Sequence, residues 1–206
     1  MRIAERTEWG AVSLFKLGYW PFGPPPMTVY CFLVDGLLVD TGQTRCGDLL
    51  LSQLQATPPS QVFLSHHHED HVSNASRIQE RFNCLIKTVT HCAELLQSPP
   101  SISPARWLTW GPYGTVPPLE IVKDEVRTPS YRFQIIPIPG HSSDMVGLYE
   151  PEQGWFFSAD LFVSPYIRYF KNDEQMGEQI ASLKRVLTLD FEVLFCCHNP
   201  QRQNGK

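Results

Sequence analysis

A short apolar segment over residues 61–64 runs directly into a polar segment, residues 65–71, that holds four of the chain's seven histidines. The apolar segment predicts a strand, and in an extended chain residues two apart point to the same side. His66 and His68 therefore project together. His67 points to the other side and is expected to be exposed or to support a neighbouring ligand. Functional sites are commonly built where strands end. The junction between the predicted strand and the histidine-rich segment therefore limits the possible folds more than any other feature of the sequence.

The polar segment offers ligands for two metal ions. A bend after Glu69 would bring Asp70 and His71 to a point next to the first pair of imidazoles. The segment then supplies two imidazoles to one ion, and a carboxylate with an imidazole to a second. These ligands suit zinc and, with more oxygen in the shell, iron or manganese. The alternative is a solvated polar turn, although histidines rarely cluster this densely by chance.

Three further residues of ligand type also follow predicted strands. His141 lies in a Pro-Gly-His-Ser sequence after one strand, Asp160 ends a second strand, and His198 ends a third. A lone histidine would more often be structural. Repeated placement at strand ends favours a shared functional site.

The rest of the chain predicts a mixed α/β architecture whose sheets are covered by helices. The dipeptide Asp35-Gly36 between two apolar runs predicts a two-residue hairpin. Strands are predicted over residues 11–15, 29–34, 37–39, 61–64, 85–89, 132–138, 145–149, 154–158 and 192–195, and helices over 48–54, 75–82 and 91–97. One more helix is predicted from an amphipathic face formed by Met176, Ile180, Leu183 and Leu187.

The composition favours a globular chain with a core of its own. Of 206 residues, 42% are hydrophobic and 18% are charged. The net charge is −4 and there is no basic cluster, which argues against a nucleic-acid partner. No apolar run approaches the roughly 18 residues that span a bilayer, and no leader segment is recognised, so we expect no membrane association and a cytoplasmic protein. The six cysteines are expected to be free, mostly buried thiols.

These residues resemble the metallo-β-lactamase superfamily over roughly residues 28–200. The family signature His-x-His-x-Asp-His is met by His66, His68, Asp70 and His71, and the later single ligands by His141, Asp160 and His198. The resemblance implies an α/β fold, an αββα sandwich of two mixed β-sheets with helices on the outer faces. It also implies that one ion is held by His66, His68 and His141, that the second is held by Asp70, His71 and His198, and that Asp160 bridges the two.

The implied metal pair indicates a hydrolytic chemistry. Two divalent ions about 3.5–4 Å apart can share a water and lower its pKa, so that hydroxide forms at neutral pH. We therefore expect a dinuclear metallohydrolase whose metal-bridging hydroxide attacks a small-molecule ester, thioester, lactone or phosphodiester. Asp70, besides binding metal, is the expected catalytic residue that orients the nucleophile and passes its proton onward. Two zinc ions are the expected cofactor, with iron or manganese as alternatives.

Several activities occur in the family, and the residues separate some of them. The β-lactamases of this fold lack an aspartate at the Asp160 position, so β-lactamase activity is not expected. Glyoxalase II-type thioesterases have all seven ligands but continue into a helical, glutathione-binding domain, whereas this sequence ends eight residues after His198. Lactonase- and esterase-type members need no such addition. The alternative function is a metal-binding protein of the same fold with redox or lost catalytic function. An amidohydrolase barrel needs about 250 residues or more.

Further expectations concern the remaining parts of the chain. The segment 98–118, rich in proline and aromatics, is expected to be a long loop with short helical pieces that overhangs the metal site and helps choose the substrate. Its Trp107, Trp110 and Tyr113 either wall a substrate pocket or form a small core under the loop. The chain is interpreted as one domain over residues 1–206, and truncation after the last ligand histidine is left open. A homodimer is one of the oligomeric states left open.

Overall fold

The computed structural model describes residues 1–163, 174–198 and the backbone of 202–203. Contacts within the chain group it into two compact units, Met1–Ile121 and Val122–Lys206. The described part of the chain contains thirteen strands and six α-helices. Each unit has one β-sheet, and each sheet is followed at its strand ends by residues expected to bind metal.

The sheet of the first unit has seven strands. They are β1 (Arg2–Trp9), β2 (Val12–Tyr19), β3 (Val29–Val34), β4 (Leu37–Val39), β5 (Gln61–Phe63), β6 (Leu85–Thr88) and β7 (Glu120–Ile121). They lie side by side in chain order. The pairs from β1 to β4 are antiparallel and the pairs from β4 to β7 are parallel, so the sheet is mixed.

The hairpin between β3 and β4 is confirmed. Asp35 and Gly36 have φ angles of 48° and 81°, the left-handed pair that a tight two-residue turn requires. The second strand, β2, is longer than predicted, and β1 was not predicted. Because β1 is an edge strand whose residues are exposed or half-buried, its sequence lacks the apolar pattern by which a strand is recognised.

The first unit also contains a 3-10 turn and five α-helices. These are the turn Thr44–Cys46 and the helices α1 (Gly47–Leu54), α2 (Glu69–Val72), α3 (Ala75–Phe82), α4 (Thr90–Gln97) and α5 (Pro104–Trp110). Helix α5 lies in the segment 98–118, which was expected to contain short helical pieces. Its start follows from the local sequence, since the Ser103 hydroxyl accepts a hydrogen bond from the Arg106 backbone N–H and Pro104 occupies the first turn.

The sheet of the second unit has six strands. They are β8 (Glu125–Arg127), β9 (Arg132–Pro137), β10 (Val146–Glu150), β11 (Trp155–Phe157), β12 (Val193–Phe195) and β13 (Arg202–Gln203). The order is β13-β12-β11-β10-β9-β8, and only β11 and β12 run parallel. A core of buried residues, including Phe156, Phe191 and Leu194, packs against this sheet.

The helix of the second unit, α6 (Met176–Val186), does not bury the face predicted for it. Met176, Ile180 and Leu187 are 52%, 47% and 55% exposed, and Leu183 alone of the predicted face packs partly against the core. The buried side chains of the helix are those of Gln179, Ser182 and Val186. The prediction of the helix was right, and the prediction of its buried face was wrong.

Polar contacts explain why α6 is rotated from the expected orientation. The Gln179 side-chain amide donates to the Leu161 carbonyl at 2.9 Å, and the Ser182 hydroxyl donates to the Pro139 carbonyl at 2.7 Å. The spacing of apolar residues in the sequence does not reveal such hydrogen bonds. Buried polar side chains such as these need hydrogen-bond partners. The helix therefore docks by side-chain hydrogen bonds to the loops around it.

Two expectations about the whole described chain can be compared with the structure. All six cysteines are buried and form no disulfide, as expected. No helix among the described residues is both long enough and apolar enough to cross a bilayer.

Candidate metal centre

The first group of candidate ligands lies at one edge of the first sheet. Strands β4 and β5 run parallel, so their carboxyl ends meet at the same edge. Asp40 follows β4, and the polar segment 65–71 follows β5. The whole polar segment is buried.

His66 and His68 face each other at this edge, as the alternation of an extended chain predicts. His66 Nε2 lies 3.1 Å from His68 Nδ1. Two nitrogens bound to one tetrahedral zinc at about 2.0–2.1 Å lie roughly 3.3 Å apart, so the observed spacing suits a shared ion. His67 is buried rather than exposed, and its ring lies edge-on to the His68 ring with the centroids 4.8 Å apart.

Asp70 and His71 lie on α2, which begins directly after His68 and provides the expected bend. Asp70 Oδ2 and His71 Nε2 are 3.7 Å apart. The other ring nitrogen of His71, Nδ1, lies 2.8 Å from Asp40 Oδ2. A carboxylate on Nδ1 fixes the ring orientation and favours the tautomer that leaves Nε2 to bind a metal.

Asp40 is a functional residue that the sequence reasoning missed. It is fully buried and also accepts hydrogen bonds from the Ser65 backbone N–H and the Ser65 hydroxyl, each at 2.8 Å. One carboxylate thus holds both the start of the polar segment and its last histidine. The available signal was an aspartate directly after a strand, in Asp40-Thr41-Gly42, where the structure places Asp40 at a φ of 61°.

The loop that carries Asp40 is held in turn by Asn74. The Asn74 side-chain amide donates to the carbonyls of Thr41, Gly42 and Gln43 at 2.8, 3.2 and 2.9 Å. Thr41 contacts the polar segment 65–71, because its backbone N–H and its hydroxyl both donate to the His71 carbonyl. The loop and the polar segment 65–71 are therefore joined in one hydrogen-bond network.

A buried ion pair joins the polar segment to the segment 98–118. The Arg106 guanidinium donates from Nε to Glu69 Oε1 at 2.7 Å and from Nη2 to Glu69 Oε2 at 2.5 Å. Burial raises the pKa of the Glu69 carboxyl, the neighbouring Asp70 raises it further, and Arg106 opposes both. Since the Glu69 side chain is fully buried, the Arg106 guanidinium offsets much of the cost of its charge.

Replacing Arg106 with alanine is expected to destabilise the protein by about 3–5 kcal/mol, because it leaves a buried carboxylate unpaired. The matched control is Arg77→Ala, which breaks an exposed pair with Asp48 and should cost at most about 1 kcal/mol. Urea unfolding of the three proteins measures both effects. Equal losses of unfolding free energy in the two variants would show that the Glu69–Arg106 pair stabilises the protein no more than the exposed pair does.

The second group of candidate ligands lies at one edge of the second sheet. Strands β11 and β12 run parallel, and β9 points the same way because β10 is antiparallel to both β9 and β11. The carboxyl ends of these three strands therefore lie at the same edge of the sheet. Asp160 follows β11, His198 follows β12 and His141 follows β9.

Asp160 lies between the two histidines of this group. Its Oδ2 is 3.2 Å from His141 Nε2 and 3.1 Å from His198 Nε2. Each spacing suits two ligand atoms on one ion. The far side of the His141 ring is held by Glu174, whose Oε1 lies 3.0 Å from Nδ1. Sequence reasoning missed Glu174, since no motif marks it.

Gly140 sets the position of His141. Its φ is 140°, and a Cβ at this position would lie 2.5 Å from both the backbone N and the Cα of Gln179. The Gly140 carbonyl also accepts a hydrogen bond from the Gln175 backbone N–H at 2.7 Å. A residue with a side chain could not bring the His141 loop this close to α6.

The donor set fits divalent metal. The four candidate ligands of the first unit lie together at its sheet edge, and the three of the second unit lie together at its own edge. All are imidazoles or carboxylates, and all but half-buried His198 are buried. Two of the histidines, His71 and His141, have carboxylates on their outer ring nitrogens, as metal-binding histidines commonly do. Imidazoles and carboxylates are the ligand types that zinc, iron and manganese take in proteins.

Comparison with known sequences gives a consistent result. The family model described as metallo-beta-lactamase superfamily matches residues 24–198. The hydroxyacylglutathione hydrolase of Wigglesworthia glossinidia brevipalpis is 28% identical over 172 residues, which cover 82% of this chain and 58% of that protein. The hydroxyacylglutathione hydrolase of Xanthomonas euvesicatoria pv. vesicatoria (strain 85-10) is 29% identical over 162 residues, which cover 78% and 54%. The chain thus spans a little over half the length of these relatives.

Solved structures share the fold. A metallo-beta-lactamase from Pontibacter korlensis has a TM-score of 0.77 at 18% identity, over 98% of this chain and 94% of that one. TTHA1623, solved in a di-iron-bound form, has a TM-score of 0.71 at 26% identity, over 91% and 96%. Together with the two mixed sheets and their helices, these likenesses confirm the predicted α/β fold class.

Proposed function

Because the chain belongs to the metallo-β-lactamase superfamily, we propose that it is a dinuclear metal-dependent hydrolase of small acyl thioesters. The observation that carries the proposal is the position of Asp160, whose carboxylate oxygen lies about equally far from His141 and His198. A carboxylate between two imidazoles is what a bridged pair of ions requires. The thioester class is supported by the relatives named hydroxyacylglutathione hydrolase.

We propose that seven residues hold the two ions. The first ion would be bound by His66, His68 and His141, the second by Asp70, His71 and His198, and both by Asp160. The spacing of His66 from His68, and of Asp160 from its two histidines, supports this assignment within each unit. The ligand set contains oxygen and nitrogen only, which suits zinc and also admits iron or manganese.

The residues of the chain would divide the chemical work among themselves. When bound, the ions would supply Lewis acidity and lower the pKa of water at the site. Asp70 would orient the attacking group and accept its proton, because its carboxylate lies 3.7 Å from His71 Nε2 within the proposed ligand set. Asp40 and Glu174 would keep His71 and His141 in the tautomer that presents Nε2.

A substrate panel tests the proposed activity. The metal-loaded protein is assayed against hydroxyacyl thioesters of glutathione and of small thiols, and against esters, lactones and phosphodiesters with the same acyl or alkyl groups. We expect kcat/KM to be highest for the thioesters. If another class is turned over faster, the thioester proposal is wrong. If nothing is hydrolysed while two ions are bound, the alternative of a redox or inactive metal protein replaces it.

Metal loading provides a separate prediction. With excess zinc, the protein is expected to bind two ions per chain, because two sets of ligand atoms are present. Elemental analysis after removal of free metal measures the stoichiometry, and parallel loading with iron and manganese compares the metals. A value that stays at one or below under metal excess would contradict the dinuclear assignment.

We also propose that both compact units belong to one functional domain over residues 1–206, because each unit supplies part of the proposed ligand set. Thermal unfolding should then show one transition that zinc moves to higher temperature. Two transitions, of which zinc moves only one, would contradict this proposal.

We propose the cytoplasm as the compartment of the protein. Six buried free thiols are what a reducing compartment maintains. Cell fractionation that recovers the protein outside the cytoplasm would contradict the proposal.

A further inference from the structure

Arg45 is held between two aromatic rings in the first unit. Its guanidinium carbon lies 4.9 Å from the centroid of the Tyr19 ring and 4.7 Å from that of Trp107. Its Nη2 donates to the Trp107 carbonyl at 3.1 Å. The planar guanidinium is therefore fixed in orientation by a ring on either side and by one hydrogen bond.

The charge of Arg45 is not balanced by a carboxylate among the residues that the structure describes. Among the described residues of the unit, Arg77 pairs with Asp48 and Arg106 with Glu69, whereas Arg2 and Arg81, like Arg45, form no ion pair. Arg45 has only the two aromatic faces and a carbonyl oxygen as neighbours of complementary charge. Arg45 is half-buried as a residue, and its buried Nε has no hydrogen-bond partner among the described residues, so its guanidinium is suited to bind an anionic group.

Two observations place Arg45 on the same side of the first unit as the polar segment 65–71. Tyr19 ends β2, and the antiparallel pairing of β2, β3 and β4 puts that end at the sheet edge where Asp40 follows β4. Trp107 follows Arg106 in the chain, and Arg106 is bonded to Glu69 inside the ligand segment. The two aromatic residues around Arg45 and the polar segment 65–71 therefore lie at the same edge of the sheet.

We propose that Arg45, between Tyr19 and Trp107, is the subsite that binds a carboxylate carried by the substrate. This inference rests on the proposed hydrolase function and names its substrate class, a thioester with a carboxylate a few bonds from the reacting carbonyl. A guanidinium can pair with a carboxylate through two parallel hydrogen bonds. The Trp107 ring, 49% exposed, offers an apolar surface to the methylene groups beside that carboxylate.

The structure also distinguishes the aromatic residues of the segment 98–118. Trp110 is only 6% exposed, so it packs the segment onto the unit, whereas Trp107 remains available to a ligand. Of the two roles considered for these aromatics, packing applies to Trp110 and the subsite role to Trp107.

The kinetic test uses two thioesters that differ only in charge. They are thioesters of 3-mercaptopropanoate and of its neutral amide, 3-mercaptopropanamide, with the same acyl group. For Arg45→Gln we expect KM for the acid to rise about tenfold or more, KM for the amide to change less than about twofold, and kcat to stay near wild type. Arg45→Lys should restore part of the preference, since it keeps the charge without the planar fork.

A matched control keeps the interpretation specific. Arg77→Gln removes a guanidinium that pairs with Asp48 at the surface of the same unit, and it should leave both KM values unchanged. If Arg45→Gln raises both KM values by the same factor, or leaves the acid-to-amide ratio unchanged, the carboxylate subsite is wrong.

A binding measurement separates this inference from the proposed function. The thioether 3-(methylthio)propanoate has the carboxylate but no bond to hydrolyse, and it is titrated into the protein while tryptophan fluorescence is recorded. We expect saturable binding that Arg45→Gln weakens about tenfold or more and that Trp107→Phe makes silent. Such binding without hydrolysis of any thioester would sustain the subsite and reject the hydrolase. Hydrolysis of thioesters, together with thioether binding that Arg45→Gln does not weaken, would support the hydrolase and reject the subsite.

Discussion

Replacing Asp160 with alanine is expected to lower kcat/KM by about a thousandfold or more and to weaken the binding of both metal ions. The reason is the position of one oxygen, Oδ2, which lies 3.2 Å from His141 and 3.1 Å from His198. A carboxylate that touches two ions also sets the distance between them. Its loss therefore disturbs both the ligation and the reacting water. Activity assays and elemental analysis of the purified variant measure the two effects.

The control for Asp160 is His67→Ala. His67 is buried beside the His68 ring but is not among the proposed ligands, so this variant should retain at least part of its metal. If His67→Ala strips the metals while Asp160→Ala leaves them bound, the proposed ligand assignment is wrong.

The second large effect is expected at Asp40, which touches no substrate in the proposed mechanism. Asp40→Ala should weaken zinc binding about 10–100-fold, because His71 loses the partner that orients its ring. The same change leaves the buried Ser65 N–H and hydroxyl without their acceptor, which should cost about 3 kcal/mol of stability in metal-free protein. Competition with a chromogenic chelator gives the zinc affinity, and urea unfolding gives the stability.

Two further variants make the Asp40 experiment specific. Asp40→Asn keeps the volume and one acceptor oxygen, so it should recover much of the stability but little of the zinc affinity. Asp48→Asn changes an exposed carboxylate of the same unit and should alter neither quantity. Zinc affinity in Asp40→Ala equal to wild type would show that the His71 ring is positioned by other contacts.

The candidate ligands could be identified in the sequence because each has a distinctive side chain shortly after a recognisable strand. His66 and His68 needed only the alternation of an extended chain, and the structure places them as that alternation requires. Asp40 and Glu174 could not be identified in this way. Their importance lies in which imidazole nitrogen they approach, and that depends on contacts across many residues of chain.

The errors in the fold prediction have a similar origin. Strand β1 has no apolar alternation because it lies at a sheet edge, and α6 presents a polar face inward because Gln179 and Ser182 find carbonyl partners there. Hydrophobic periodicity detects burial of apolar surface only. The ion pair of Glu69 with Arg106, which joins two segments far apart in the chain, is likewise absent from any local pattern.

If His141 binds metal as proposed, the contact between α6 and the His141 loop would link the order of the helix to metal occupancy. Gly140 packs against Gln179, Gln175 bonds to Gly140, and Glu174, two residues before the helix, holds His141 itself. In the proposed ligand assignment, an ion on His141 would therefore stabilise the first turn of the helix, and opening of that turn would weaken the ligand. The two equilibria are reciprocal, so whatever favours the closed helix tightens metal binding by the same factor. Amide exchange in the first turn of α6 would then report metal occupancy without any substrate.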